Sequence, residues 1–173
     1  MLLMCYTQNI DGLEKKAGVR KLVTAHGSAD TSHCTSCGEE FSSTAMAESL
    51  AKQTPAYCEC GGLAKPDVVF FGERMPWEFH AKSDLISYSD LLFVVGTSLA
   101  VFPFSNLVDL VPERTPRVVV NLEKSDSFMH AGFSFDKDAP KRDLIFVGDS
   151  DHTFKEIARL AGWGDELAKL SDK

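Results

Sequence analysis

The 173-residue chain has no excess of positive charge: 18 lysines and arginines face 25 aspartates and glutamates, for a formal net charge of -7. Phosphate backbones are held by clustered Lys and Arg, so composition argues against nucleic acid as a direct partner. Long apolar runs are also missing. The longest, such as LLFVVG at 91–96, fall far short of the roughly 20 residues that span a bilayer, so no membrane partner is expected. The opening MLLMCYTQNI lacks a basic region, and its apolar stretch stops at Thr7, Gln8 and Asn9, unlike an export signal. An intracellular location, cytoplasm or nucleus, is therefore expected. Disulfides are rare there and metal sites common. Finally, no G-x-G-x-x-G occurs: GWG at 162–164 is followed by Leu167 where the last glycine belongs. The usual phosphate turn after the first strand of a nucleotide-binding sheet is absent from these residues. Internal repeats, low-complexity tracts and long linkers are absent too.

What is present reads as α/β. The chain is 44% hydrophobic and 25% charged, as in ordinary globular domains, and its length fits one domain carrying a small insertion. Unalternating apolar runs rich in β-branched residues predict strands at 2–6, 67–71, 91–95, 117–121 and 144–148, buried on both faces. Segments 76–89 and 103–111 each open on a proline and predict helices. Thr153 and Glu156 stand at capping-box spacing before a third. Such alternation predicts a parallel, doubly wound, Rossmann-like sheet, partial because the phosphate turn is lacking. Residues 33–62 interrupt the rhythm, with no convincing strand and one short helix near 43–52, and read as an insertion held by cysteines.

Four of the five cysteines lie there. Cys34 and Cys37 form C-x-x-C, Cys58 and Cys60 form C-x-C, and about twenty residues separate the pairs, the spacing of a tetrathiolate zinc site. A redox pair would require C-x-x-C at a strand-to-helix turn, which the second pair does not match. Buried free thiols would not cluster in a polar, Gly-containing segment. Four thiolates complete zinc's tetrahedral shell, so the Zn2+ would be structural. Gly61 and Gly62 would let the shorter second turn tighten, and His33 is the reserve ligand if Cys58 points away. Cys5, in an apolar strand, reads as a core residue.

Other motifs are weaker alone. YTQNIDGLE places Gln8, Asn9 and Asp11 at the carboxyl end of a strand, where open α/β sheets bind ligands. The plainer alternative is that Asn9 or Asp11 caps a helix ending at Gly18. His26, before Gly27, is either a core histidine or a general base. In KPDVVFFGE, Val69 and Phe71 would share one strand face. Gly96, Thr97 and Ser98 end another strand with small residues that allow a phosphate or ribose to approach. Asn121 and Glu123 end the next, where a carboxylate can accept from both ribose hydroxyls.

Together YTQNIDGLE, AHG, C-x-x-C, KPDVVFFGE, GTSLAVFPF and VNLEK resemble, in order and spacing, the sirtuin family of NAD-dependent protein deacylases, closest to its class I, sirtuin-two-like members. The likeness runs from Leu2 to about Trp163. It implies an NAD-dependent deacetylase acting on acetylated lysine in proteins or peptides. NAD serves as co-substrate and Zn2+ is structural. The acetyl oxygen attacks the ribose carbon as nicotinamide leaves; His26, the general base, then deprotonates a ribose hydroxyl, which attacks the resulting imidate. Gln8, Asn9 and Asp11 match the loop around the nicotinamide ribose, and Gly96, Thr97 and Ser98 the phosphate and ribose contacts. Asn121, Glu123 and Ser150 match the adenosine end. Val69 and Phe71 would line the acyl-lysine tunnel, with the peptide added as a strand between Gly72–Glu73 and Val101. The zinc ligands would be Cys34, Cys37, Cys58 and Cys60. The family's second pair is normally C-x-x-C; here Tyr57 occupies the expected position and Cys58 comes one residue late. The implied division is 1–32 with 63–173 for NAD and 33–62 for zinc. The family's Gly-rich loop lies before the strand at Leu2, so residues 1–173 alone are expected to have little activity. The alternative function is a non-catalytic, zinc-bearing peptide- or protein-binding module.

Overall fold

In the computed structural model, which describes residues 1–136 and 142–171, the apolar start of the chain becomes a short strand, β1 (Cys5–Thr7). It pairs in parallel with β2 (Leu22–Thr24), Cys5 opposite Leu22 and Thr7 opposite Thr24. The turn of helix between them, α1 (Leu13–Lys16), ends at Gly18. There a left-handed backbone (φ 82°) lets the Gly18 and Val19 N–H groups close on the carbonyls of Lys15 and Glu14. These elements belong to an N-terminal unit, Met1–Leu85; Ile86–Lys173 form a second.

The rest of the N-terminal unit follows the sequence reading in its helices and departs from it in its strands. Strands β3 (Gly27–Cys34), β4 (Ala56–Tyr57) and β5 (Leu63–Val68) form an antiparallel sheet in the order β3-β5-β4. Within 33–62, where no convincing strand is expected, lie only the last two residues of β3 and the two-residue β4; the longer strands flank the segment. Strand β3, GSADTSHC, is polar because half of it is exposed, so no apolar run marks it. The expected helix is α2 (Ser43–Ala51), with the Ser42 hydroxyl accepting from the Ala45 N–H. Its Met46 packs on Ala56, Ala64 and Phe41 in a small core. Of the run 67–71 only Asp67 and Val68 are strand: β5 stops at Val68, and the chain then turns. Helix α3 (Trp77–Ser83) follows Pro76, contacts β2 and buries Phe79. The Tyr6 hydroxyl donates to the Lys82 carbonyl, and a 3-10 helix, Asp84–Tyr88, completes the predicted 76–89 segment.

The C-terminal unit carries the predicted parallel sheet: β6 (Leu92–Val95), β7 (Arg117–Asn121) and β8 (Asp143–Val147), in that order. The central β7 is flanked on both edges and buries Arg117 and three consecutive valines, which explains its unalternating sequence. Val94 and Val119 pack on Leu99, Val108, Phe128 and Phe133 on one face. On the other, Phe93 meets Phe154 at 5.6 Å between centroids, while Val95, Leu144 and Phe146 stay exposed. The helix predicted at 103–111 is a 3-10 helix, Phe104–Asp109. Helix α4 (Asp126–His130) follows β7, and α5 (Ser150–Leu160) follows β8. Helix α5 is capped by Asp149, whose carboxylate accepts from the His152 N–H, not by Thr153. Glu156 pairs with Arg159 instead. Helix α6 (Gly164–Ser171) is the last element among the described residues. No described helix is long and apolar enough to cross a membrane.

Candidate functional site

The four insertion cysteines converge. The Sγ atoms of Cys34, Cys37, Cys58 and Cys60 all lie within 4.8 Å of one another. Individual separations are 3.6 Å for Cys34–Cys60, 3.8 Å for Cys37–Cys58 and 3.5 Å for Cys37–Cys60. Tetrahedral Zn–S bonds of about 2.3 Å put sulfurs about 3.8 Å apart, so the donor set fits one Zn2+. The electrostatics fit as well. Backbone N–H groups of Cys37 and Ser36 draw the Cys34 thiol down to about 6. At Cys37 the Glu39 N–H works downward, but the Cys60, Cys34 and Cys58 thiols outweigh it and push Cys37 up to about 12. One thiolate forms easily and opposes the next, the repulsion a divalent cation relieves.

The C-x-C turn works because of its glycines. Gly61 takes φ 82°, its N–H bonds the Cys58 carbonyl, and Cys58 N–H bonds the Gly62 carbonyl. A Cβ on Gly62 would lie 2.6 Å from Ser36 Oγ and 2.8 Å from Cys34 Sγ, so only glycine fits against the first pair. His33 is not in the cluster: its Nδ1 bonds the Asp67 carboxylate at 2.8 Å, and Thr31 donates to the same group. Because Cys58 points into the cluster, the reserve role of His33 does not arise. Partial burial opposes ionisation of Asp67, but the Thr31 and His33 hydrogen bonds hold its carboxyl below the usual range.

His26 follows β2. Its Nδ1 lies 3.2 Å from the Gln8 carbonyl. A carbonyl only accepts, so Nδ1–H is the donor, and in the neutral ring the lone pair falls on Nε2. The same contact joins His26 to the loop after β1. There the Asn9 N–H bonds Thr7 Oγ1 at 3.1 Å, and Asp11 Oδ1 accepts from the Leu13 N–H at 3.0 Å. Asp11 thus holds the first helical N–H of α1 from one residue ahead of the N-cap, Gly12, so neither Asn9 nor Asp11 is the cap itself. Asn9 and Asp11 are exposed.

The Val69 N–H bonds the His26 carbonyl at 2.9 Å, which places the loop after β5 against the histidine. Val69 and Phe71 do not share a strand face. Glu73 accepts from the Phe70 N–H, Glu73 N–H returns to the Phe70 carbonyl, and Gly72 takes φ 88°. That turn leaves Phe71 100% exposed and Val69 partly covered. The Phe70 N–H, then Lys65, hold the Glu73 carboxyl below the usual range. Lys65 Nζ bonds the Val68 carbonyl at 2.8 Å and Glu73 at 3.2 Å, and sits 4.5 Å from the Phe70 ring centroid. Sequence reasoning passed over Lys65; the available signal was the lone cation of KPDVVFFGE, eight residues before Glu73.

The remaining candidates belong to the C-terminal unit. Gly96, Thr97 and Ser98 follow β6, Asn121 ends β7 with Glu123 just beyond, and Ser150 opens α5 after β8. Parallel pairing gathers these three strand ends at one carboxyl edge, where open α/β sheets take ligands. Gly96 has φ 62°, and a Cβ there would meet nothing within 4 Å. Asn121 Nδ2 donates to the Glu123 carbonyl at 2.8 Å, and the Leu99 N–H bonds Thr97 Oγ1 at 3.2 Å. Val101, also in this unit, is exposed.

A family model described as the Sir2 family matches residues 1–103. The chain is 40% identical over 178 residues to the NAD-dependent deacetylase sir2A of Dictyostelium discoideum, covering 98% of this chain and 34% of that protein. It is 39% identical to the NAD-dependent protein deacetylase hst2 of Schizosaccharomyces pombe, over 99% of this chain and 50% of that one. It is also 39% identical to the NAD-dependent protein deacetylase sirtuin-2 of Danio rerio, over 98% and 48%. The chain thus spans at most half the length of these relatives. A solved structure titled "The Structural basis for Sirtuin Substrate affinity" superposes with a TM-score of 0.76 at 27% identity, over 92% of this chain and 65% of that chain.

Proposed function

The chain belongs to the Sir2 family, and from that premise we propose that its residues serve NAD-dependent deacetylation of acetyl-lysine in proteins. The observation that carries this is the joining of His26 to two loops at once. Nδ1–H is engaged by the Gln8 carbonyl, and the main-chain carbonyl is bonded to Val69. In this reading His26 Nε2 takes the proton of a ribose hydroxyl, making that oxygen nucleophilic toward the activated acetyl carbon. Val69 and Phe71 flank the acyl-lysine, a neutral apolar rod once acetylation has removed its charge. Gln8, Asn9 and Asp11 contact the nicotinamide ribose. The β6 and β7 ends with Ser150 hold the phosphate and adenosine portions through Gly96, Thr97, Ser98, Asn121 and Glu123.

Cys34, Cys37, Cys58 and Cys60 would hold one Zn2+, which supplies structure rather than chemistry because four thiolates leave no open position. The proposed division is 33–62 for zinc, and 1–32 with 63–173 for NAD. The reading includes an intracellular location and no direct nucleic-acid or membrane partner.

The test supplies the Gly-rich phosphate segment of a relative in front of Leu2 and incubates the protein with NAD and an acetyl-lysine peptide. Mass spectrometry should find free lysine, nicotinamide and acetylated ADP-ribose in equal amounts. Acetylated-peptide binding without any NAD consumption would favour the non-catalytic binding module instead.

A further inference from the structure

The turn that presents Val69 and Phe71 is not held by its own backbone alone. Lys65, within β5, folds its side chain forward along the chain. Its ammonium donates to the carbonyls of Pro66 at 3.3 Å and Val68 at 2.8 Å, and to Glu73 Oε2 at 3.2 Å. It also lies over the Phe70 ring, 4.5 Å from the centroid, a favourable place for a cation. Glu73 Oε2 takes the Phe70 N–H at 2.9 Å at the same time. Lys65 and Glu73 thus grip the backbone on both sides of Val69, whose own N–H goes to His26. The Lys65 side chain is only 30% exposed. An ammonium that sheds much of its water for two carbonyls, a carboxylate and a ring is placed, not merely tethered.

We propose that Lys65 is a positioning residue for acyl-lysine recognition: with Glu73 it clamps the Val68–Glu73 turn in the shape that sets Val69 and Phe71 against the substrate. This rests on the proposed function, because it assigns the turn to the acyl-lysine. Lys65 does not touch the substrate and acts only through the turn. Charge and donor directions both matter, so arginine substitutes in part and an uncharged chain of equal length does not.

The test uses residues 1–173 and a fluorescent acetyl-lysine peptide beside its unacetylated twin. Wild type should prefer the acetylated peptide. Lys65→Met, which keeps the apolar stem, should weaken acetylated-peptide binding about tenfold, the scale of a lost charged hydrogen bond. Lys65→Arg should recover most of it. Zinc content and melting temperature should stay near wild type in both, whereas a merely structural lysine would move those readouts together with binding. Equal acetylated-peptide affinity for Lys65→Met and wild type overturns the inference and leaves the function standing. A wild-type chain that binds both peptides alike overturns the proposed function and this inference with it.

Discussion

The main-chain carbonyl of His26 accepts the N–H of Val69 at 2.9 Å, and this contact is possible only because the next residue is Gly27. Gly27 lies opposite Val68 in the sheet with φ 76°. A Cβ there would stand 1.9 Å from the Asp67 carbonyl oxygen. Gly27→Ala should therefore force β3 and β5 apart beside His26. The left-handed backbone alone costs a non-glycine residue on the order of 1–3 kcal/mol, and the clash adds to it. Urea titration should show at least that loss; a variant as stable as wild type would mean that the two strands do not approach as described.

Purified protein should contain one zinc per chain. Serine at Cys34, Cys37, Cys58 or Cys60 should each lower zinc occupancy sharply, because a tetrahedral site missing one thiolate binds less tightly. His33→Ala should leave zinc content unchanged, since that ring is committed to Asp67. Metal analysis by mass spectrometry decides it, and zinc lost from the His33 variant but kept in the Cys58 variant would reverse the ligand assignment.

Much of this was legible in the sequence, for physical reasons that differ by residue. β7 announced itself because burial on both faces demands Val118, Val119 and Val120 in a row. The cysteine pairs were legible because metal geometry fixes ligand spacing. Strand β3 was not, because an exposed antiparallel strand can be built from polar residues. Phe71 misled because its β-like neighbours suggested a strand, whereas Glu73 and Gly72 bend the chain into a turn. The role of Asp149 was hidden by Thr153 and Glu156, whose spacing imitates a cap one turn too late. Lys65 was invisible because its partners are backbone carbonyls, which any residue supplies.

The buried ion pair of the C-terminal unit should govern that unit's stability in acid. Arg117 donates twice to Asp143, at 2.7 and 2.6 Å, and the Ser134 N–H adds a third bond. Burial opposes the charge on Asp143, but Arg117 and Ser134 hold its carboxyl below the usual range. The unfolded chain then binds more protons between the two values, so this stability is complete above an ordinary aspartate value of about 3.9 and fades as pH falls through the folded one. Asp143→Asn leaves a buried guanidinium without its counter-charge and should cost about 3–5 kcal/mol near neutral pH. It should also flatten the stability profile below about pH 4. Denaturation across pH measures both, and an unchanged acid slope in the variant would exclude Asp143 as the titrating group.

Residues 1–173 by themselves should bind NAD weakly. The strand ends of β6 and β7 address the adenosine side, but a pyrophosphate is held by backbone N–H groups at a Gly-rich turn, and no such motif occurs in these residues. Calorimetry should find affinity weaker than about millimolar, little better than a few isolated contacts supply. Micromolar binding would show that another segment cradles the phosphates.

The most direct test of the account is turnover by a His26→Ala variant in the protein fused behind a Gly-rich phosphate segment. The Gln8 carbonyl fixes the His26 tautomer, and loss of a general base typically removes about 10²–10⁴ in rate. The variant should keep its zinc and its preference for acetylated peptide while product formation from NAD falls by that factor. Near-normal turnover by His26→Ala would contradict the assignment of His26 as the base, and with it the chemistry proposed for this chain.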